Sequence, residues 1–150
     1  MTKRILITSA LLYANGPLHF GHIAGAYLPA DCYARYQRVI GNQVLFLSGS
    51  DEYGAAITIG AEQAKRHPKE HVDKYYQDAL IAFEQLNFSF DHYSRTTWPG
   101  HEKVVLEFFN EMLDNGYLEK KSTDQLFSVK DGLFLADRYV VGTCPKCGYE

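Results

Sequence analysis

The chain has 150 residues, of which 46% are hydrophobic, 14% aromatic and 22% charged, with a formal net charge of −3. That is an ordinary composition for a soluble domain with a core of its own. The weak acidity supplies no basic field of the kind that binds nucleic acid non-specifically, and no apolar run reaches transmembrane length.

The opening Lys3-Arg4 and the apolar stretch to Ala14 resemble a short signal peptide, but Thr8, Ser9 and Tyr13 interrupt them, which argues against a secretory leader. The stretch reads better as a buried first strand. Cys144 and Cys147 form a CxxC and Cys32 stands alone. An odd count with one close pair fits a reducing compartment and metal binding better than a disulfide framework. A cytoplasmic protein without a membrane partner is expected, with Cys32 as a small buried side chain in a helix.

In chain order, residues 4–9 read as a strand and 11–21 as a loop. A helix is predicted from His22 to Ile40, with Ile23, Tyr27, Ala30, Ala34 and Gln37 at three- and four-residue spacing. Pro29 should kink or restart it, and Gly41 should close it. A second strand covers 43–47 and leads into Ser48-Gly49-Ser50-Asp51. Helices are predicted over 55–66 and from Pro68 to 85, a strand over 88–93, and a helix over 99–115 stopped by Gly116. This alternation predicts an α/β fold, a Rossmann-like parallel sheet with right-handed crossovers. After Gly116, the runs 117–122 and 125–129 and the turn Lys130-Asp131-Gly132 suggest an antiparallel hairpin. The expected division is therefore 1–116 for the α/β part and 117–150 for an inserted segment.

The segment Ala14-Asn15-Gly16-Pro17-Leu18-His19-Phe20-Gly21-His22 carries the chemistry. It joins a strand to a helix, where glycines admit a close anion and the helix N-terminus offers free N–H groups. His19 and His22 add donors for charge that builds up on phosphoryl oxygens. Ligands of parallel sheets bind beyond the carboxyl ends of the strands, so Asp51, Glu52 and Tyr53 are expected on the same rim, with Tyr13. A carboxylate there facing an ammonium at about 4 Å gains about 4 kcal/mol at an effective dielectric near 20, before desolvation. The suggested reaction is attack of a carboxylate on an α-phosphate. Each residue also has a plain structural role open to it: His19 on a surface loop, His22 at a helix start, Asp51 as a helix cap. His67, His71, His92 and His101 read as surface or packing residues. Pro68 separates His67 from His71 despite their i, i+4 spacing.

Taken together, these segments resemble the methionine-specific class I aminoacyl-tRNA synthetases. Residues Ala10 to His22 look like the class signature, and Ala30-Asp31-Cys32-Tyr33-Ala34-Arg35-Tyr36-Gln37-Arg38 and Phe46 to Gly54 look like the next two blocks. Gln125-Leu126-Phe127, Phe134 to Arg138 and Gly142-Thr143-Cys144-Pro145-Lys146-Cys147 resemble the entry to a zinc-bearing connective insert. The resemblance implies ATP-dependent activation of methionine to methionyl-adenylate, then transfer to tRNA(Met), the initiator tRNA included. It implies that His19 and His22 stabilise the α-phosphate transition state and the departing pyrophosphate. Asn15, Gly16 and Gly21 would shape the site for ATP, used with Mg2+. Leu11 and Tyr13 would line the methionine pocket, and Asp51 would hold the amino group. Cys144 and Cys147 would be zinc ligands whose companion pair lies past Glu150, and a monomer or a homodimer would fit equally. Two positions depart from the pattern: Leu12 stands where Pro is common and Tyr53 where His is frequent. The resemblance also places the lysine-bearing loop and the anticodon-binding domain outside these 150 residues, so the segment alone is expected to be inactive. The alternatives are a small nucleotidyltransferase sharing only the HxGH turn, or a non-enzymatic zinc or RNA module. The net charge and the single CxxC argue against the module.

Overall fold

The computed structural model describes residues 2–139 and 142–149, which form two compact units, Met1–Leu106 and Glu107–Glu150. In the first unit, β1 (Arg4–Thr8), β2 (Leu12–Tyr13), β3 (Gln43–Asp51) and β4 (His92–Arg95) form one sheet. Strand β3 lies at its centre and pairs in parallel with each of the other three. The parallel α/β expectation is met.

The register contains a feature that periodicity did not show. Thr8 lies opposite Leu47, yet Leu12 lies opposite Ser50. The first strand therefore carries one more residue than its partner between these pairs, a β-bulge spanning Ser9 to Leu11. Before the bulge the buried position is Ile7; after it the buried positions are Leu12 and Ala14, so the inward parity changes from odd to even. Two hydroxyls steady the bulge. Tyr27 Oη and Ser48 Oγ donate to the Ala10 carbonyl at 3.2 and 3.4 Å. Burial pushes the Tyr27 phenol up to about 12, outweighing its hydroxyl contacts, so it remains a donor.

The predicted 22–40 helix is three joined pieces: α1 (Phe20–His22), a π-turn (Ile23–Tyr27) and α2 (Leu28–Val39). In the π-turn the Leu28 N–H reaches back to the Ile23 carbonyl. Widening the helix just ahead of Pro29 avoids the clash that a proline ring makes with a carbonyl one turn back. Pro29 then serves as an early residue of α2, and Gly41 ends the segment at φ +86°. The buried stripe is Tyr27, Asp31, Ala34 and Gln37. Cys32 falls outside this stripe and is exposed, contrary to expectation.

Buried Asp31 fixes the chain entering β4. Its Oδ1 accepts from the Ser89 N–H and Oγ at 2.7 and 2.6 Å, while Arg35 Nε donates to Oδ2 at 2.6 Å. Burial alone would raise this carboxyl; the bonds from Ser89 and Arg35 outweigh it and hold the group below the usual carboxylate range. Residues 88–91, expected as strand, are instead an irregular segment. Phe88 and Phe90 pack there against the cluster of Leu12, Tyr27, Ala79 and Phe83. Aromatic burial, and not pairing, explains their apolar character.

Helices α3 (Ala55–Gln63) and α4 (Pro68–Gln85) follow β3. Pro68 opens α4 as predicted, and His67 caps it by accepting from the Lys69 N–H at 3.2 Å. That occupies one nitrogen of the rejected His67/His71 metal pair. The opposite face of the sheet shows Leu6 at 64% and Leu45 at 49% exposure, a face that parallel sheets normally cover. Helix α5 (Pro99–Asp114) ends before Gly116, whose φ is +74°.

In the second unit, β5 (Phe127–Ser128) and β6 (Leu133–Phe134) pair antiparallel around the predicted turn. Residues 117–122, expected to be β-like, have no regular structure. Among the described residues no helix is long and apolar enough to cross a membrane.

Candidate active site

Beyond the bulge, Leu11, Tyr13 and Asn15 reach the carboxyl end of the sheet, where β3 also ends at Asp51. Tyr13 and Asp51 are register partners, and the Ala14 N–H donates to the Asp51 carbonyl at 2.9 Å. The Asp51 carboxylate accepts from the Tyr53 N–H at 3.4 Å and does not cap α3, whose N-cap is Gly54. Leu11 is 54% exposed, with Cδ2 beside Gly49.

Gly54 determines where Tyr13 ends. It has φ +126°, and a Cβ built on it would stand 2.6 Å from Tyr13 Oη. A side chain is excluded both by backbone conformation and by space. Gly54→Ala is expected to cost about 1–3 kcal/mol through strain and to displace Tyr13. An unchanged thermal midpoint in that variant would contradict this description of the loop.

His19 and His22 meet face to face. Their ring centroids are 3.6 Å apart and their planes 19° apart. His19 heads α1 and its N–H donates to His22 Nδ1 at 3.3 Å; the His22 N–H returns to the His19 carbonyl at 3.0 Å. With Nδ1 accepting, a neutral His22 carries its proton on Nε2, as a donor. Burial, and then the charge of His19, hold the His22 pKa below the ordinary imidazole value. A Cβ on Gly21 would approach the His19 ring to 3.2 Å, so this glycine gives the ring its place over the turn. Gly16 has no comparable contact, and a Cβ there would meet nothing within 4 Å.

Glu52 is not on the rim. Its side chain is fully buried and accepts from Arg95 Nε at 2.8 Å and from the Thr97 hydroxyl. Arg95 also donates to Asp73 at 2.5 Å, and its guanidinium lies 4.3 Å from the Tyr76 ring centroid. The bond from Lys69 and those from Arg95 together hold the Asp73 carboxyl below its usual range, against a raising effect of burial. This cluster supports the segment 52–54 from beneath. Its members lie 22 and 43 residues apart, so no spacing in the sequence reveals it. A cleft of about 380 Å³ opens beside that segment, lined by Tyr53, Gly54, Ile57 and Val72 among others. The two histidines do not line it.

In the second unit, Cys144 and Cys147 lie on a turn closed by the Gly148 N–H donating to the Cys144 carbonyl at 2.8 Å. The N–H groups of Lys146 and Cys147 draw the Cys144 thiol below its ordinary pKa. Amides facing a sulfur suit a thiolate and hence a metal ligand. Among the described residues no third acidic, Cys or His side chain joins the pair.

A parallel sheet whose first strand runs through a bulge and a glycine-bearing loop into a helix headed by two stacked histidines defines a nucleotide-binding architecture. The chain belongs to the family described as tRNA synthetases class I (M), which matches residues 5–150. It is 66% identical over 150 residues to the methionine–tRNA ligase of Protochlamydia amoebophila (strain UWE25). To that of Thermoplasma acidophilum it is 55% identical over 146 residues. It covers 100% of itself but 22% of the first relative, and 97% of itself but 27% of the second. Among solved structures it resembles Mycobacterium tuberculosis methionyl-tRNA synthetase in complex with methionyl-adenylate. The TM-score is 0.76 at 30% identity, over 99% of this chain and 30% of that one. An Agrobacterium radiobacter K84 LeuRS complex shares the fold, with TM-score 0.77 at 22% identity over 98% of this chain and 19% of that one.

Proposed function

We propose that the protein carrying this chain is a methionine–tRNA ligase. The observation that carries the reading is the stacked His19–His22 pair at the head of α1, at the same sheet end as Asp51, in a chain similar throughout to methionine–tRNA ligases. A methionine carboxylate oxygen attacks the α-phosphorus of ATP, the α–β bridging P–O bond breaks, and pyrophosphate leaves with that oxygen. Methionyl-adenylate then passes its acyl group to the terminal adenosine of tRNA(Met), the initiator tRNA included, releasing AMP. Asp51 holds the ammonium of methionine, Leu11 and Tyr13 line its side-chain pocket, and Tyr13 shields the thioether end. Asn15, Gly16 and Gly21 shape the nucleotide site. His19 and His22 donate to phosphoryl oxygens as charge develops on them.

ATP enters with Mg2+. Cys144 and Cys147 provide two thiolates of a structural zinc site, which takes four ligands and stiffens the insert that starts near residue 117. The reaction belongs in the cytoplasm.

The test is amino-acid-dependent ATP–pyrophosphate exchange in the protein at the full length of its relatives. Exchange with methionine, and none with leucine, isoleucine or cysteine, is expected. Exchange with none of the four would favour the nucleotidyltransferase alternative.

A further inference from the structure

His71 lies on α4 and is only 2% exposed, and among the described residues neither of its ring nitrogens has a hydrogen-bond partner. Buried polar groups are almost always paired, so an orphan imidazole on apolar ground calls for a reason. Its ring meets Tyr75 edge-on at 4.9 Å, beside Val72 of a cluster that also holds Ala14 and Ile57. Packing alone would be served as well by phenylalanine, without the cost of a desolvated polar ring.

The neighbouring glycine shows where the ring points. A Cβ built on Gly60 of α3 would stand 2.7 Å from Asn15 Oδ1 and 3.1 Å from His71 Nε2. The carboxamide oxygen and the ring nitrogen thus converge on the one place a Gly60 side chain would fill. Asn15 itself is exposed and is the second residue past β2. A donor on Nε2 and an acceptor on Oδ1 are complementary partners. The absence of a side chain at Gly60 leaves the approach between them open.

We propose that His71 is a positioning residue for the nucleotide: when ATP binds, Asn15 closes across the gap at Gly60, the His71 Nε2–H takes its carboxamide oxygen, and the Asn15 amide group is held toward the nucleotide. The inference rests on the reading of Asn15 as an ATP-binding residue. In this arrangement α3 supplies the gap, α4 the donor and the loop after β2 the group that is aimed. His71 does not touch substrate. It acts through Asn15, and it should therefore change nucleotide affinity without changing methionine affinity.

The test compares KM for ATP, KM for methionine and kcat in pyrophosphate exchange, with thermal midpoints, for variants of the full-length enzyme. His71→Phe keeps the packing and removes the donor, and should raise the ATP KM about five- to tenfold, the range of one hydrogen bond. Its methionine KM should stay within twofold and its midpoint should not fall. His71→Gln restores a donor and should recover most of the ATP KM. Asn15→Ala should raise the ATP KM at least as far, and adding His71→Phe to it should raise it no further. Gly60→Ala, which drives a methyl group between the two side chains, should also raise the ATP KM. If Asn15→Ala raises the ATP KM and His71→Phe does not, the inference is overturned while the role of Asn15 stands. If Asn15→Ala leaves the ATP KM unchanged, both fall. Additive effects in the double variant, or a loss in His71→Phe spread equally over both substrates, would also overturn the inference. Should His71→Phe fail to fold, Gly60→Ala and His71→Gln decide the matter by the same readings.

Discussion

Replacing His19 or His22 by alanine in the full-length enzyme is expected to lower methionine-dependent pyrophosphate exchange by about 10²–10³-fold for each residue, as loss of one preorganised donor to a developing oxyanion does. The loss should appear mainly in kcat, since the donors matter most when charge has accumulated in the transition state. The rings stack at 3.6 Å and His22 Nδ1 is engaged by the His19 backbone, so each ring fixes the other. The double variant should accordingly lose less than the product of the single losses. Because burial and the charge of His19 depress the His22 pKa, His22 rests neutral near pH 7. An arriving polyphosphate favours the imidazolium, so ATP binding should take up protons between the depressed pKa and neutrality. The same depression has a stability consequence with a definite sign. The unfolded chain binds the proton more readily, so the His22 contribution is intact above about pH 6.5 and is lost as pH falls through the depressed folded value. Exchange rates within threefold of the parent in either alanine variant would remove the histidines from the mechanism.

The second large effect concerns stability. Arg95→Met should destabilise the protein by about 3–5 kcal/mol, because it strands the fully buried Glu52 carboxylate without its cation. Glu52→Gln together with Arg95→Met should cost clearly less than Arg95→Met alone, since no buried charge is then left uncompensated. Arg95→Lys should rescue only part of the loss, for an ammonium lacks the fork that reaches both Glu52 and Asp73. Denaturant midpoints for the three variants check the order. An Arg95→Met protein within about 1 kcal/mol of the parent would show that the cluster is dispensable, since changes of that size are ordinary for single substitutions.

The parts of this fold visible in the sequence are those fixed by one residue or one local pattern. Pro68 opens α4 because a proline lacks the N–H that a helix start leaves unused. Gly41 and Gly116 end helical segments at positive φ. The strand–loop–helix unit around His19 and His22 was legible because all its parts are contiguous. What escaped depends on partners distant in the chain. Residues 88–91 look like strand because Phe88 and Phe90 are apolar, but the cluster that buries them is built from other elements. Glu52 looks like Asp51 until the position of Arg95 is known. Cys32 sits next to buried Asp31, and only the phase of the helix turns it outward.

The bulge at Ser9–Leu11 makes the length of this segment matter more than its composition. Side chains alternate across a strand with a period of two, so without the bulge these same residues would pair Leu11 with Ser50 and Leu12 with Asp51, inverting everything after it. Tyr13 would turn to the helix-covered side and Leu12 would face the rim. Substitutions at Ser9, Ala10 or Leu11 leave that phase intact. Loss of one residue would also leave Leu12 opposite Ser50, in a regular ladder, so across an evolving lineage this stretch can shorten by one residue without turning Tyr13, whereas shortening by two would slip Leu12 to Gly49 and invert it.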